Sequence, residues 1–152
     1  MAILAYGVSY RTAPVEFRER IAFPEETVGD ALKAATGSIP SVSEAAIIST
    51  CNRTELYLAM DPNRERHVIE WLADERAIAP EELQAVAYSH WDQDAARHLI
   101  RVASGLDSQV LGEPQIMGQV KSAYDLARNV GTIGPELSLL SQITLSTAKR
   151  VR

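Results

Sequence analysis

The sequence holds one cysteine, Cys51, and three histidines in 152 residues. A lone thiol excludes a disulfide framework. It leaves two readings: a buried small hydrophobe, or a reactive group in a reducing compartment. So few histidines and cysteines, none at ligand spacing, argue against a metal site. Lys and Arg number 15 against 20 Asp and Glu, for a net charge of −5. That shortage of cations argues against a dedicated nucleic-acid binder, though not against a local basic patch. Glycine and proline are also sparse, 8 and 7 residues, so a disordered or low-complexity chain is excluded. No glycine pattern after a strand matches a phosphate loop or a dinucleotide fingerprint. The opening apolar run is shorter than a bilayer span, with no basic segment before it and no small-residue cleavage signal after it. A cytoplasmic protein is expected.

Hydrophobic residues make up 46% of the chain, enough for one core without staples. The patterning predicts strands at 3–9, 43–50 and 54–60, with a weak fourth at 86–89. Helices are predicted at 15–21, from Pro24-Glu25-Glu26 to about 35, and at 64–77. Strand, helix, strand, strand, helix, strand is the split βαβ order, so residues 1–90 are expected to form an α+β, ferredoxin-like sandwich (βαββαβ). Residues 91–152 read as helical. Asp92 is the expected cap of a helix to 103, which Gly105 breaks. A loop at 106–112 leads to helices at 113–130 and 136–152. The last is rich in leucine and ends without glycine or proline, so the chain is expected to end inside the long helix of a larger protein.

Two segments carry candidate chemistry. The first is Ser49-Thr50-Cys51-Asn52-Arg53-Thr54-Glu55, a polar stretch between two apolar strands. An adjacent cation favours thiolate, the form that attacks carbon. Arg53 can instead hold a carboxylate with its planar fork. The bland alternative is a structural thiol, with Arg53 and Glu55 as a surface pair. The second segment runs from His98 to Gln119, where Gly105, Gly112 and Gly118 frame a polar loop between helices. Gln115 and Gln119 share a helix face, and with Ser108 and Glu113 they can gather around a small polar ligand. Here the alternative is a solvated loop and helix face. His98 lies at the edge of an apolar face, a common place for a structural histidine. His67 reads as structural, and His90 beside Trp91 is ambiguous.

These segments, with Gly7-Val-Ser-Tyr-Arg-Thr-Ala-Pro-Val15 and Gly112-Glu-Pro-Gln-Ile-Met-Gly-Gln-Val-Lys121, resemble glutamyl-tRNA reductase, in order and over the whole chain. The resemblance implies an enzyme with a catalytic domain, an NADPH-binding domain and a dimerisation domain, of which this chain matches only the first. By resemblance the nucleophile is Cys51, and a histidine important for activity is His98. Substrate contacts fall on Thr50, Asn52, Arg53, Ser108, Glu113, Pro114, Gln115 and Gln119. The implied reaction reduces the glutamate of glutamyl-tRNA to glutamate-1-semialdehyde through a cysteine thioester, toward tetrapyrroles. NADPH is the implied cofactor of the full-length enzyme, and none is expected to bind this chain. Implied partners are glutamyl-tRNA, a second copy in a homodimer of the full-length enzyme, and the aminomutase that follows in the route. No membrane contact is expected. A cysteine acyl hydrolase pairing Cys51 with His98, and a non-catalytic interaction domain, remain the alternatives.

Overall fold

The computed structural model describes residues 1–109 and 115–151. Its strands β1 (Ala2–Ser9), β2 (Val42–Ser49), β3 (Arg53–Met60) and β4 (Tyr88–Trp91) form one antiparallel sheet in the order β2-β3-β1-β4. The helices are α1 (Val15–Ile21), α2 (Val28–Ser38), α3 (Glu65–Glu75), α4 (Pro80–Val86), α5 (Gln93–Ala103), α6 (Gln115–Asn129) and α7 (Pro135–Val151). With β3 inserted between β1 and β2, this is the split βαβ sheet that the element order predicts.

β3 is central. It pairs with β1 from Ala2↔Met60 to Ser9↔Arg53, and with β2 from Val42↔Met60 to Ser49↔Thr54. Every residue of β3 is buried, so both its faces are covered. Leu56, Leu58 and Met60 alternate with Arg53, Glu55 and Tyr57, as strand geometry requires. The charged set lies under the C-terminal helices: the Tyr57 ring is 6.4 Å from that of Tyr124 on α6, and His98 of α5 reaches Glu55. Ile116, Val120, Leu137, Leu140 and Ala148 of these helices join the same core as β1 to β3. The C-terminal helices therefore cover the sheet's second face.

One glycine lets the strands close on the site. Gly7 of β1 sits opposite Glu55, and a Cβ there would lie 2.1 Å from the Thr54 carbonyl oxygen. Only a residue without a side chain permits that approach.

The structure corrects several local expectations. The fourth strand begins at Tyr88, because Pro80 starts α4 and carries it through Val86, with Leu83 fully buried. Asp92 holds the N-cap position of α5, its carbonyl accepting the Ala96 N–H at 3.0 Å, but its side chain does not cap the helix. Asp92 has a φ of 49°, and its carboxylate accepts the Ile3 N–H at 2.8 Å while its own N–H donates to Ile3 O at 2.7 Å. It extends the β1–β4 pairing instead. The helix expected from Pro24 opens as one 3-10 turn, Glu25–Thr27, and α2 then runs through Gly37 to Ser38. The expected start of the next helix, at 113, lies outside the described residues.

The cap of α7 comes from another element. Glu44 of β2 is buried, and its carboxylate accepts the N–H groups of Gly134 (2.8 Å), Leu137 (2.9 Å) and Glu136 (3.1 Å). An anion at a helix N-terminus is favoured by both the orphan donors and the dipole. Thr132 pairs with Ala45 through its backbone and hydroxyl, which ties the preceding loop to the sheet edge. Among the described residues, no helix is long and apolar enough to cross a membrane.

Candidate active site

Cys51 occupies the tip of the turn between β2 and β3, and its side chain is exposed. The turn is fixed by backbone carbonyls and one side-chain hydroxyl. The Thr50 N–H donates to Arg53 O at 2.8 Å, the Asn52 N–H to Thr50 Oγ1 at 3.2 Å, and the Tyr10 N–H to Asn52 O at 2.8 Å. Arg18 Nε donates to the Cys51 carbonyl at 3.2 Å. An exposed thiol on a pinned backbone can meet a substrate at little reorganisation cost. It is not the buried structural thiol of the bland reading.

Arg53 and Glu55 are not the surface pair of that reading either. Both are buried, at 1% and 0% exposure. Arg53 Nη1 donates to Glu55 Oε2 at 3.2 Å; Nη2 pairs with Asp107 Oδ2 at 3.0 Å and donates to the Asp107 carbonyl. Glu55 is a hub: Oε1 accepts the Tyr57 hydroxyl at 2.9 Å, and Oε2 meets His98 Nε2 at 2.5 Å and accepts the Tyr88 hydroxyl. Burial pushes the Glu55 carboxyl up, but the His98 hydrogen bond and charge, then Arg53 and Tyr88, outweigh it and hold the group at about 2. Burial would lower Arg53, yet Glu55, Tyr88 and Asp107 together hold it above its ordinary value. Burial and the Glu55 charge push the Tyr57 and Tyr88 phenols up, so both stay protonated donors. A buried ion pair needs this many partners to offset its desolvation. The result is a guanidinium held rigidly at the base of the Cys51 turn.

A small cleft at the turn brings together Thr50, Cys51, Asn52, Arg53, Ser108 and Gln119, six of the ten residues singled out in the sequence. Gln115 lines a neighbouring cavity of about 670 Å³, which shares Thr50 and Gln119 with the cleft. Glu113 and Pro114 lie outside the described residues. His98 is elsewhere. It lines a third cavity of about 460 Å³ with Tyr88, His90 and Asp107, and stacks on His90 with ring centroids 4.5 Å apart. Burial and then the His98 charge lower the pKa of His90. No hydrogen bond joins Cys51 to His98 among the described residues, and the His98 Nε2 is taken by Glu55. A cysteine–histidine hydrolase pair is not what this geometry builds.

Residues 6–152 match the family described as Glutamyl-tRNAGlu reductase, N-terminal domain. The chain belongs to that family. Over all 152 residues it is 55% identical to the glutamyl-tRNA reductase of Ectopseudomonas mendocina and 53% identical to that of Chromohalobacter salexigens. It covers 35% of the first of these relatives, so it spans about a third of the length of the curated proteins it matches. Among solved structures, the glutamyl-tRNA reductase of Methanopyrus kandleri superposes with a TM-score of 0.82 at 29% identity, over 99% of this chain and 34% of that one.

In this glutamyl-tRNA reductase domain, sequence reasoning missed the groups around the arginine: Glu55 as a hub, with Tyr57, Tyr88, Asp107 and Arg11. Arg11 Nε pairs with Asp107 Oδ1 at 2.9 Å. One signal was available. Arg53, Glu55 and Tyr57 fall at period two on a strand, and so on one face. That face reads as solvated until α5 and α6 are seen to cover it.

Proposed function

We propose that this chain performs the acyl-transfer half of glutamyl-tRNA reduction, with Cys51 as nucleophile. The observation that carries the reading is an exposed thiol in a cleft walled by Thr50, Asn52, Arg53, Ser108 and Gln119. Family membership supplies the substrate. The thiolate attacks the carbonyl carbon of the glutamyl ester. The bond from that carbon to the ribose oxygen breaks, the oxygen leaves with a proton, and glutamate stays on Cys51 as a thioester. A thioester is more open to hydride than the ester it replaces, so the covalent step divides a difficult reduction in two.

Arg53 reads the side-chain carboxylate of the glutamyl group. Its fork is held by Glu55 and paired with Asp107, so a substrate carboxylate binds it in competition with Asp107. The oxygens of Ser108 and Gln119 meet the α-amino end and accept its N–H groups, so an acyl group lacking that end makes fewer contacts with this wall. His98 acts through Glu55 and is a positioning residue. The family's nicotinamide cofactor does not fit these residues: among those described, no strand leads through a glycine-rich turn into a helix. No hydride step is derived from them.

The test compares the chain with its Cys51→Ser variant for transfer of glutamate out of charged tRNA. A hydroxyl at its free pKa is a weak nucleophile, so the rate falls by several orders of magnitude. A near-normal rate in the variant overturns the reading.

A further inference from the structure

The cavity of about 670 Å³ beside the thiol cleft has no part in the mechanism above. It opens between the start of α2, the end of β2 and one side of α6, and its size falls in the range of small-molecule sites, roughly 300–1,000 Å³. Its floor is apolar, with Phe23, Val28, Ile48 and Leu126. No Lys or Arg lines it among the described residues, and its one charged side chain is Glu25. On α6, Gly118 keeps one wall low: a Cβ there meets nothing within 4 Å. Thr50 and Gln119 belong to both this cavity and the thiol cleft. The third cavity differs on each count. It carries Arg11, Arg97 and Arg101, and shares no lining residue with the cleft.

We infer that the larger cavity receives the leaving nucleoside of the acyl transfer, the 3′-terminal adenosine of the charged tRNA. The inference rests on the proposed acyl transfer to Cys51 and extends it to the other side of the reacting carbon. The acyl group and the leaving group diverge from that carbon. The polar cleft at Arg53 takes the first, so the second passes the shared rim of Thr50 and Gln119. A nucleoside is uncharged and carries a flat base. The apolar side chains along the slot, Val28, Ile48 and Leu126 beside the edge of Phe23, suit the faces of the base by burial. The amides of Gln115 and Gln119 and the Glu25 carboxylate suit ribose hydroxyls and ring nitrogens. Phosphates, repelled by Glu25, stay outside. Gln115 thereby gains its role on the leaving-group side.

The test uses two donors with the same acyl group: 2′(3′)-O-glutamyl-adenosine and the α-methyl thioester of glutamate. In each case the glutamyl carbon forms a bond to Cys51 Sγ, and adenosine or methanethiol departs with the proton. The rate constants for Cys51 acylation are measured for the chain and for Gly118→Leu, which fills the slot from an open helix position. The ratio of adenosine ester to methyl thioester falls roughly tenfold or more in Gly118→Leu, the scale of a lost apolar pocket. Free adenosine competes with the adenosine ester in the unaltered chain and loses that effect in the variant. Gln115→Ala, a change at the exposed rim, lowers the same ratio and serves where the first variant folds poorly. An unchanged ratio in both variants overturns the nucleoside site while leaving Cys51 acylation intact. No acylation of Cys51 by either donor overturns the acyl-transfer reading, and this inference with it.

Discussion

Replacing Glu55 by Gln keeps the shape of the hub and removes its charge. The Tyr57 hydroxyl still finds an oxygen, but the new amide presents N–H groups toward the donors of Arg53, His98 and Tyr88. The magnitude follows from the carboxyl's acidity. Its ordinary value of 4.5 becomes about 2 in the folded chain. A fall of about 2.5 units at about 1.4 kcal/mol per unit gives on the order of 3 kcal/mol. Because the folded value is the lower one, this stability is complete above pH 4.5 and is lost as pH falls toward 2. Urea unfolding at neutral pH should show Glu55→Gln less stable by about 3 kcal/mol, a midpoint lower by about 1.5 M for a slope of about 2 kcal/mol per molar. At pH 3 the unaltered chain has already lost most of the contribution, and the gap should narrow to about 1 kcal/mol. A variant as stable as the parent at neutral pH, or a gap that does not change with pH, would refute the hub as described.

Other substitutions probe single links. Gly7→Ala places a Cβ against the Thr54 carbonyl and should destabilise by more than about 2 kcal/mol, whereas Gly37→Ala, with open space around it in α2, should stabilise by about 0.5–1 kcal/mol; equal urea midpoints would contradict this. Glu44→Ala removes the acceptor for three N–H groups of α7 and should cost about 1–3 kcal/mol, with faster hydrogen exchange at the Gly134, Glu136 and Leu137 amides; protection as in the parent would deny the cap. Arg53→Lys keeps the charge and loses the fork. It should sharply reduce the preference for glutamyl- over glutaminyl-tRNA, and an unchanged preference would show that another group reads the carboxylate.

The sheet was legible because its signals are local. Period-two alternation at 54–60 and the apolar runs at 3–9 and 43–50 each mark a strand without reference to the rest of the chain. Errors arose where long-range contacts decide. Asp92 has the residue type of a cap, yet its carboxylate goes to Ile3, 89 positions away in sequence. Glu44 has no local cue as a cap, because the helix it serves begins about 90 positions later. α4 is seven residues long, too short for a firm period, and the apolar Val86 that reads as strand is its last residue. At the site, the thiol turn could be found from residue types alone. The burial of Arg53 could not, since it depends on Asp107 arriving from the far end of α5.

The central claim is a covalent one, and the intact mass of the chain after mixing with charged glutamyl-tRNA tests it most directly. Quenched in acid, the protein should carry one glutamyl group on Cys51, the tRNA should be found uncharged, and Cys51→Ser should carry none. Glutamate released from the tRNA with no adduct on Cys51, or an adduct that persists in the Cys51→Ser variant, would contradict the account.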